Sequence, residues 1–177
     1  MGCWGITAFE SDDGLDAVSC IRAQLPADGK LDLDTILEVL REDTWNAPGS
    51  PEESGSHTSP MALAEIIVKF LDGEAVELDP KSPALACEKN FADVTSFTAS
   101  KAGIQWVRDY LSDTLRAHRA DALNGRARAG WFKETDWVGW QSHMELLIGR
   151  LDAVMQTTND QTAILWPPQG QSQEMKL

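Results

Sequence analysis

The chain has 177 residues, 42% of them hydrophobic, with seven Trp, enough for one domain with a single sizeable core. No run of roughly 18 apolar residues and no basic-then-apolar leader occur, so neither a transmembrane helix nor a secretory signal is expected, and the chain is expected in the cytoplasm. The net charge of −13 is uneven: residues 1–60 hold twelve Asp and Glu against three Lys and Arg, or −9. Such a field repels nucleic acid and anionic membranes and steers basic proteins inward, although a charged face that only keeps the protein soluble accounts for it too.

Helical spacing dominates, so the expected fold class is mainly α: a single compact helical domain of about five to six helices over residues 1–156, with a long loop and an irregular tail over 157–177. Ser11 or Asp12 is positioned to cap a first helix that carries Leu15, Val18, Ile21 and Leu25 inward and stops at Pro26. Asp32 or Asp34 opens a second, with Leu33, Ile36, Leu37 and Leu40 on one face and an acidic ridge of Asp34, Glu38 and Glu42 on another. Residues 46–60, with three Pro, two Gly and four Ser, have the composition of an exposed loop. Ser59 and Pro60 then form a cap and first-turn pair for a central buried helix over Met61–Leu71, ended by Asp72 and Gly73. Beyond it the pattern weakens: Ala75–Leu78 is read as a short extended piece, and Ser82 with Pro83 as the start of a short helix to about Phe91. A long helix follows over about Ser100–Ala122, burying Ile104, Val107, Leu111 and Leu115 and ending at Asn124 and Gly125. The last long helix starts at Thr135 or Asp136 and carries the stripe Trp137, Trp140, Met144, Leu147, Leu151 and Val154, after which Trp166 ties down part of the tail.

Signatures of catalysis are missing from this pattern. There is no GxSxG, no phosphate-cradling GxxxxGK[ST], no dinucleotide GxGxxG and no HExxH. Asp28-Gly29-Lys30 has the look of a calcium loop centre, but the carboxylates required at the first, third and last positions are absent, so a structural turn is expected and no metal site. Cys3, Cys20 and Cys87 lack metal-ligand spacing and are read as reduced, mostly buried thiols. His57, His118 and His143 stand apart and are read as surface or packing residues. Asp12 and Asp13 sit at a helix N-terminus, where they cap N–H groups and complement the dipole rather than hold a catalytic proton. Arg116, Arg119, Arg126 and Arg128 form a basic cluster diluted by Asp113 and Asp121, which argues against nucleic-acid binding. Trp106, Trp137 and Trp140 are assigned to the core, while Trp4, Trp45 and Trp131 lie near loop ends where a partly exposed ring can anchor a partner, although a core role is the better-supported reading.

The start Met1-Gly2-Cys3-Trp4-Gly5, with Phe9 and the acidic Asp12, Asp13 and Asp16, resembles the bacterial domain-of-unknown-function family 4259, as do the Ala-containing helix Met61–Leu71 and the Trp-rich segment 131–151. The resemblance implies no catalytic residues and no cofactor. It implies a small cytosolic protein, some of whose relatives look like immunity proteins encoded beside secreted antibacterial toxins. The expectation is therefore a non-enzymatic immunity protein that covers the active site of a cognate basic toxin domain, a nuclease, using Asp12, Asp13, Asp16, Asp34, Glu38, Glu42 and Asp43 with Trp45 as apolar anchor. The alternative is a small-molecule-binding domain or enzyme with a pocket between Trp-rich helices that uses His143 or His118; oligomeric state stays open.

Overall fold

The computed structural model of the chain describes residues 2–52, 58–81, 88–125 and 134–168. Among them are five α-helices and three strands: α1 Asp12–Ala23, β1 Lys30–Asp32, α2 Leu33–Glu42, α3 Thr58–Leu71, β2 Ser96–Ser100, α4 Lys101–Leu123, α5 Trp137–Thr157 and β3 Thr162–Trp166. The expected mainly α class holds, with a small mixed sheet added. Strand order is β1-β2-β3, with β1 parallel to β2 and β2 antiparallel to β3.

α3 is the centre of the fold. Every residue from Thr58 to Ile67 is buried, and the helix packs against α1, α4, α5 and β3. A helix apolar on all sides is stable only when neighbours cover all of it. It begins one turn earlier than the Ser59-Pro60 start implied, and the Ser59 hydroxyl does not cap it but donates to the Asn46 carbonyl at 2.7 Å, tying down the near end of the preceding loop. At its far end Gly73 takes a left-handed φ of 72°, and Glu74 N–H returns to Lys69 O at 2.8 Å, the closure that a glycine after a helix permits.

Two strand–helix units lie side by side, the second packing on α3 through α4 and the first against α1, β2 and α4. β1 runs straight into α2, where Asp32 accepts from Thr35 N–H at 3.1 Å, and β2 runs straight into α4, where Ser100 Oγ accepts from Gly103 N–H at 2.9 Å. Asp34 joins the two starts: its carboxylate takes Ser100 N–H at 2.9 Å and Ser100 O–H at 2.6 Å. The turn before β1 needs Gly29, whose φ is 71° and whose added Cβ would stand 2.7 Å from Asp93 O; Asp28 Oδ1 accepts from Lys30 N–H there, so the loop is the structural turn that was expected.

Periodicity placed the apolar positions of the helices well. Leu33, Ile36, Leu37 and Leu40 of α2, Ile104, Val107, Leu111 and Leu115 of α4, and Trp140, Met144, Leu147 and Leu151 of α5 are all buried. Trp137 and Val154 of the α5 stripe are half-buried, and Leu15, expected inward, is 43% exposed, because α1 turns Gly14, Ala17, Val18 and Ile21 to the core. Ala75–Leu78 is not extended but a 3-10 turn, and Phe91–Asp93 is another, held by Asp79, whose carboxylate caps the N–H groups of Phe91 and Ala92. The helix expected from Ser82 lies mostly outside the described residues. The tail is tied down by more than Trp166: Thr162–Trp166 pairs with β2 and buries Ala163 and Leu165.

Gly14 shows how tightly α1 meets the chain before it, since an added Cβ would fall 1.8 Å from Ala8 O. Gly14→Ala is therefore expected to cost about 2 kcal/mol or more despite the better helix propensity of Ala, read as a lowered midpoint in urea denaturation.

Candidate functional site

The N-terminal segment folds into a short clasp. Cys3 and Ser11 form an antiparallel bridge, Trp4 N–H donates to Glu10 O at 2.9 Å, and Asp12 N–H donates to Gly2 O at 3.1 Å. Glu10 fills the interior of the clasp with its carboxylate, which accepts from Ile6 N–H, Thr7 N–H and Thr7 O–H at 2.9 to 3.0 Å. A side chain at position 5 would collide with that carboxylate, because a Cβ on Gly5 would lie 2.2 Å from it. Gly5 thus leaves room for the Glu10 carboxylate.

The clasp rests on a buried acid. Glu65, 5% exposed, is the single charged residue in the wholly buried stretch of α3. Its Oε1 accepts from Ala8 N–H at 2.8 Å and meets His143 Nε2 of α5 at 2.7 Å, while Oε2 is buried with no hydrogen-bond partner among the described residues. Burial pushes the Glu65 carboxyl above the ordinary glutamate range, opposed by the hydrogen bonds of His143 and Ala8. Glu10 is moved the other way, chiefly because the Thr7 N–H binds the ionised form. The sequence reading missed Glu65; the available signal was one carboxylate inside Met61–Phe70, where nothing else is charged before Lys69. His143, expected as a packing residue, is half-buried and holds a junction of three elements.

The acidic residues chosen for an interface separate into two groups. Ser11, not Asp12 or Asp13, caps α1, its Oγ accepting from Gly14 N–H at 2.9 Å, whereas exposed Asp12 takes Gly2 N–H at 2.7 Å. Asp34 is half-buried against Ser100 and leaves the expected ridge, so that Asp34, Glu38 and Glu42 do not present one continuous face. Glu38, Glu42 and Asp16 are exposed, and Asp13 is half-exposed. Asp43 closes a turn just beyond α2, accepting from Trp45 N–H at 2.9 Å and Asn46 N–H at 2.8 Å, which holds its carboxyl below the usual range. On that turn stands Trp45, 91% exposed.

The aromatic and cysteine assignments divide similarly. Trp140 is fully buried and stacks on half-buried Trp137 at 5.7 Å between centroids; Trp106 is also half-buried, with the Arg41 guanidinium over its ring, and Trp4 is 52% exposed. Cys3 and Cys20 are half-buried rather than buried. Cys87, His57, Arg126, Arg128 and Trp131 lie outside the described residues. A groove of about 640 Å³ between α4 and α5 is lined by Leu115, Arg116, Arg119, Leu123, Ile148 and Gly149 among others, with no Trp or His among its walls. His118 is buried, its Nδ1–H donating to Thr114 O at 2.9 Å. No group of three His, Cys, Asp or Glu among the described residues is placed to hold a metal ion, and no described helix is long and apolar enough to cross a membrane.

Two tests address the buried junction. His143→Ala leaves the Glu65 carboxylate without its partner and is expected to cost about 3 kcal/mol, much of it regained in His143→Ala/Glu65→Gln, where no charge is left buried and Ala8 N–H keeps an acceptor; equilibrium denaturation measures both. The pH profiles of the two acids oppose each other. Glu10, lowered in the fold, contributes stability above the unfolded glutamate value that is lost as pH falls through its folded one; Glu65, raised, contributes stability at low pH that is lost as pH rises through its folded value. Glu10→Gln is expected to flatten the acid side of the stability curve, and Glu65→Gln the decline toward neutrality, in denaturation series run across that range.

No curated protein and no solved structure matches the chain. The family model described as a domain of unknown function, DUF4259, matches residues 2–143, which take in the clasp, the central helix and His143. The chain belongs to the DUF4259 family.

Proposed function

We propose that this protein is a non-enzymatic, cytoplasmic immunity protein that binds and neutralises a cognate basic toxin domain, a nuclease, covering its active site. The observation that carries the reading is Trp45. A large apolar ring 91% exposed has no packing role in its own fold, and burying it against a partner recovers about 2 kcal/mol or more. The Asp43 turn fixes the backbone beneath it, so little order is lost on binding. Glu38 and Glu42 stand exposed on the preceding helix, within a segment of charge −9, and supply the negative rim that a cationic surface built for phosphates attracts.

Asp16, Glu38, Glu42 and Trp45 are the strongest members of the proposed face. Asp12, Asp13 and Asp43 add to its field, while Asp34 contributes from a position already bonded to Ser100. The test is capture of the toxin domain encoded beside the gene, with association measured at low and high salt. Trp45→Ala is expected to raise the dissociation rate and weaken binding about 30-fold, leaving thermal stability unchanged. Glu38→Lys/Glu42→Lys is expected to slow association and reduce its salt dependence. A toxin domain bound equally well by both variants would remove the proposal.

A further inference from the structure

One long face of α5 is left exposed by the described residues. α5 is held on one flank by α4, where Arg119 bonds Gln141 at 2.7 Å and also pairs with Glu145, and on the other by the end of α3, where Arg150 pairs with Asp72 at 2.6 Å. Opposite the buried Trp140, Met144, Leu147 and Leu151 stand Val138, Ser142, Leu146, Gly149, Ala153 and Gln156, all exposed, Val138 by 72% and Leu146 by 53%. Not one of the six is charged. α4 and α5 together hold five Lys and Arg against five Asp and Glu, so this part of a chain of −13 is neutral. Two copies repel each other least here.

Gly149 is the second observation. It lies inside a 21-residue helix, where glycine costs backbone entropy, yet its φ is not positive and an added Cβ would meet nothing within 4 Å. Among the described residues no turn or contact calls for it, and close approach of another helix would.

The spacing says which helix. Leu146, Gly149, Ala153 and Gln156 step by three and four residues, as the a and d positions of a heptad do, which puts Glu145 at g and Arg150 at the next e. In a parallel pair related by a two-fold axis along the helices, g of one copy faces that e of the other, so Glu145 meets Arg150 of the second copy on both sides of the seam. The guanidinium of Arg150 has five N–H donors and can serve Asp72 and a second carboxylate together. We propose that the exposed face of α5 is the interface of a parallel, two-fold symmetric homodimer. It does not rest on the toxin-binding reading, whose residues lie on α1, α2 and the Trp45 turn.

Sedimentation equilibrium of the full chain from low to high micromolar concentration tests this. The wild type is expected to show a monomer–dimer equilibrium, and Leu146→Glu to be monomeric throughout with an unchanged helical circular dichroism spectrum. Glu145→Arg and Arg150→Glu are each expected to weaken association about tenfold, the scale of two exposed ion pairs turned repulsive, and Glu145→Arg/Arg150→Glu to regain it. An antiparallel pair sets g against g and fails that rescue. A wild type that stays monomeric, a dimer indifferent to Leu146→Glu, or single reversals with no recovery in the double variant would each overturn the proposal.

Discussion

Around Glu65 the fold has little freedom. Between Pro60 and Val68 α3 is otherwise apolar, and a carboxylate in that stretch is tolerated only where polar groups reach it from outside the helix. Two do: the Ala8 N–H from the N-terminal clasp and the His143 ring from α5. The acid therefore selects which segments cover α3 and at what depth. Apolar packing alone would stabilise many rotations of the clasp and of α5 about α3, whereas one buried acceptor favours the arrangement that satisfies it.

The family match takes in both ends of this junction. The matched residues run from Gly2, at the start of the clasp, to His143, which closes the junction. Gly5 and Gly14 belong to the same device, because both yield space to backbone or carboxylate atoms of residues 8–10. Gly5 and Gly14 therefore have structural roles at the N-terminus. Its chemistry is directed inward, at positioning α1 and α3, and leaves the outer faces of α2 and α5 unconstrained by the core.

Those outer faces have different physical characters. The α2 end is acidic and carries an exposed indole on a hydrogen-bonded turn, the combination on which the proposed toxin binding rests. The α5 face is uncharged, carries small residues and is flanked by Glu145 on one side and Arg150 on the other. The two faces lie on different elements, so the two proposals do not depend on each other.

Local sequence determined much of this protein. Helix starts at Ser11, Asp32 and Ser100, stops at Gly73 and Asn124-Gly125, the Gly29 turn, and the buried stripes of α2, α4 and α5 were legible because each depends on neighbours within about one helical turn. The exposure of Trp45 was not: its place beside a loop admitted an exposed ring, but burial in the core was the better-supported reading. Only the tertiary structure decided the rest. The short strands Lys30–Asp32, Ser96–Ser100 and Thr162–Trp166 gave no strong alternation because each is too brief to show a period and is held by a partner far along the chain. Asp34 left the acidic ridge for Ser100, 66 residues away, and His143 found Glu65 across 78. Spacing along one helix reports which residues share a face, but a hydrogen bond between distant elements exists only once packing has brought them together.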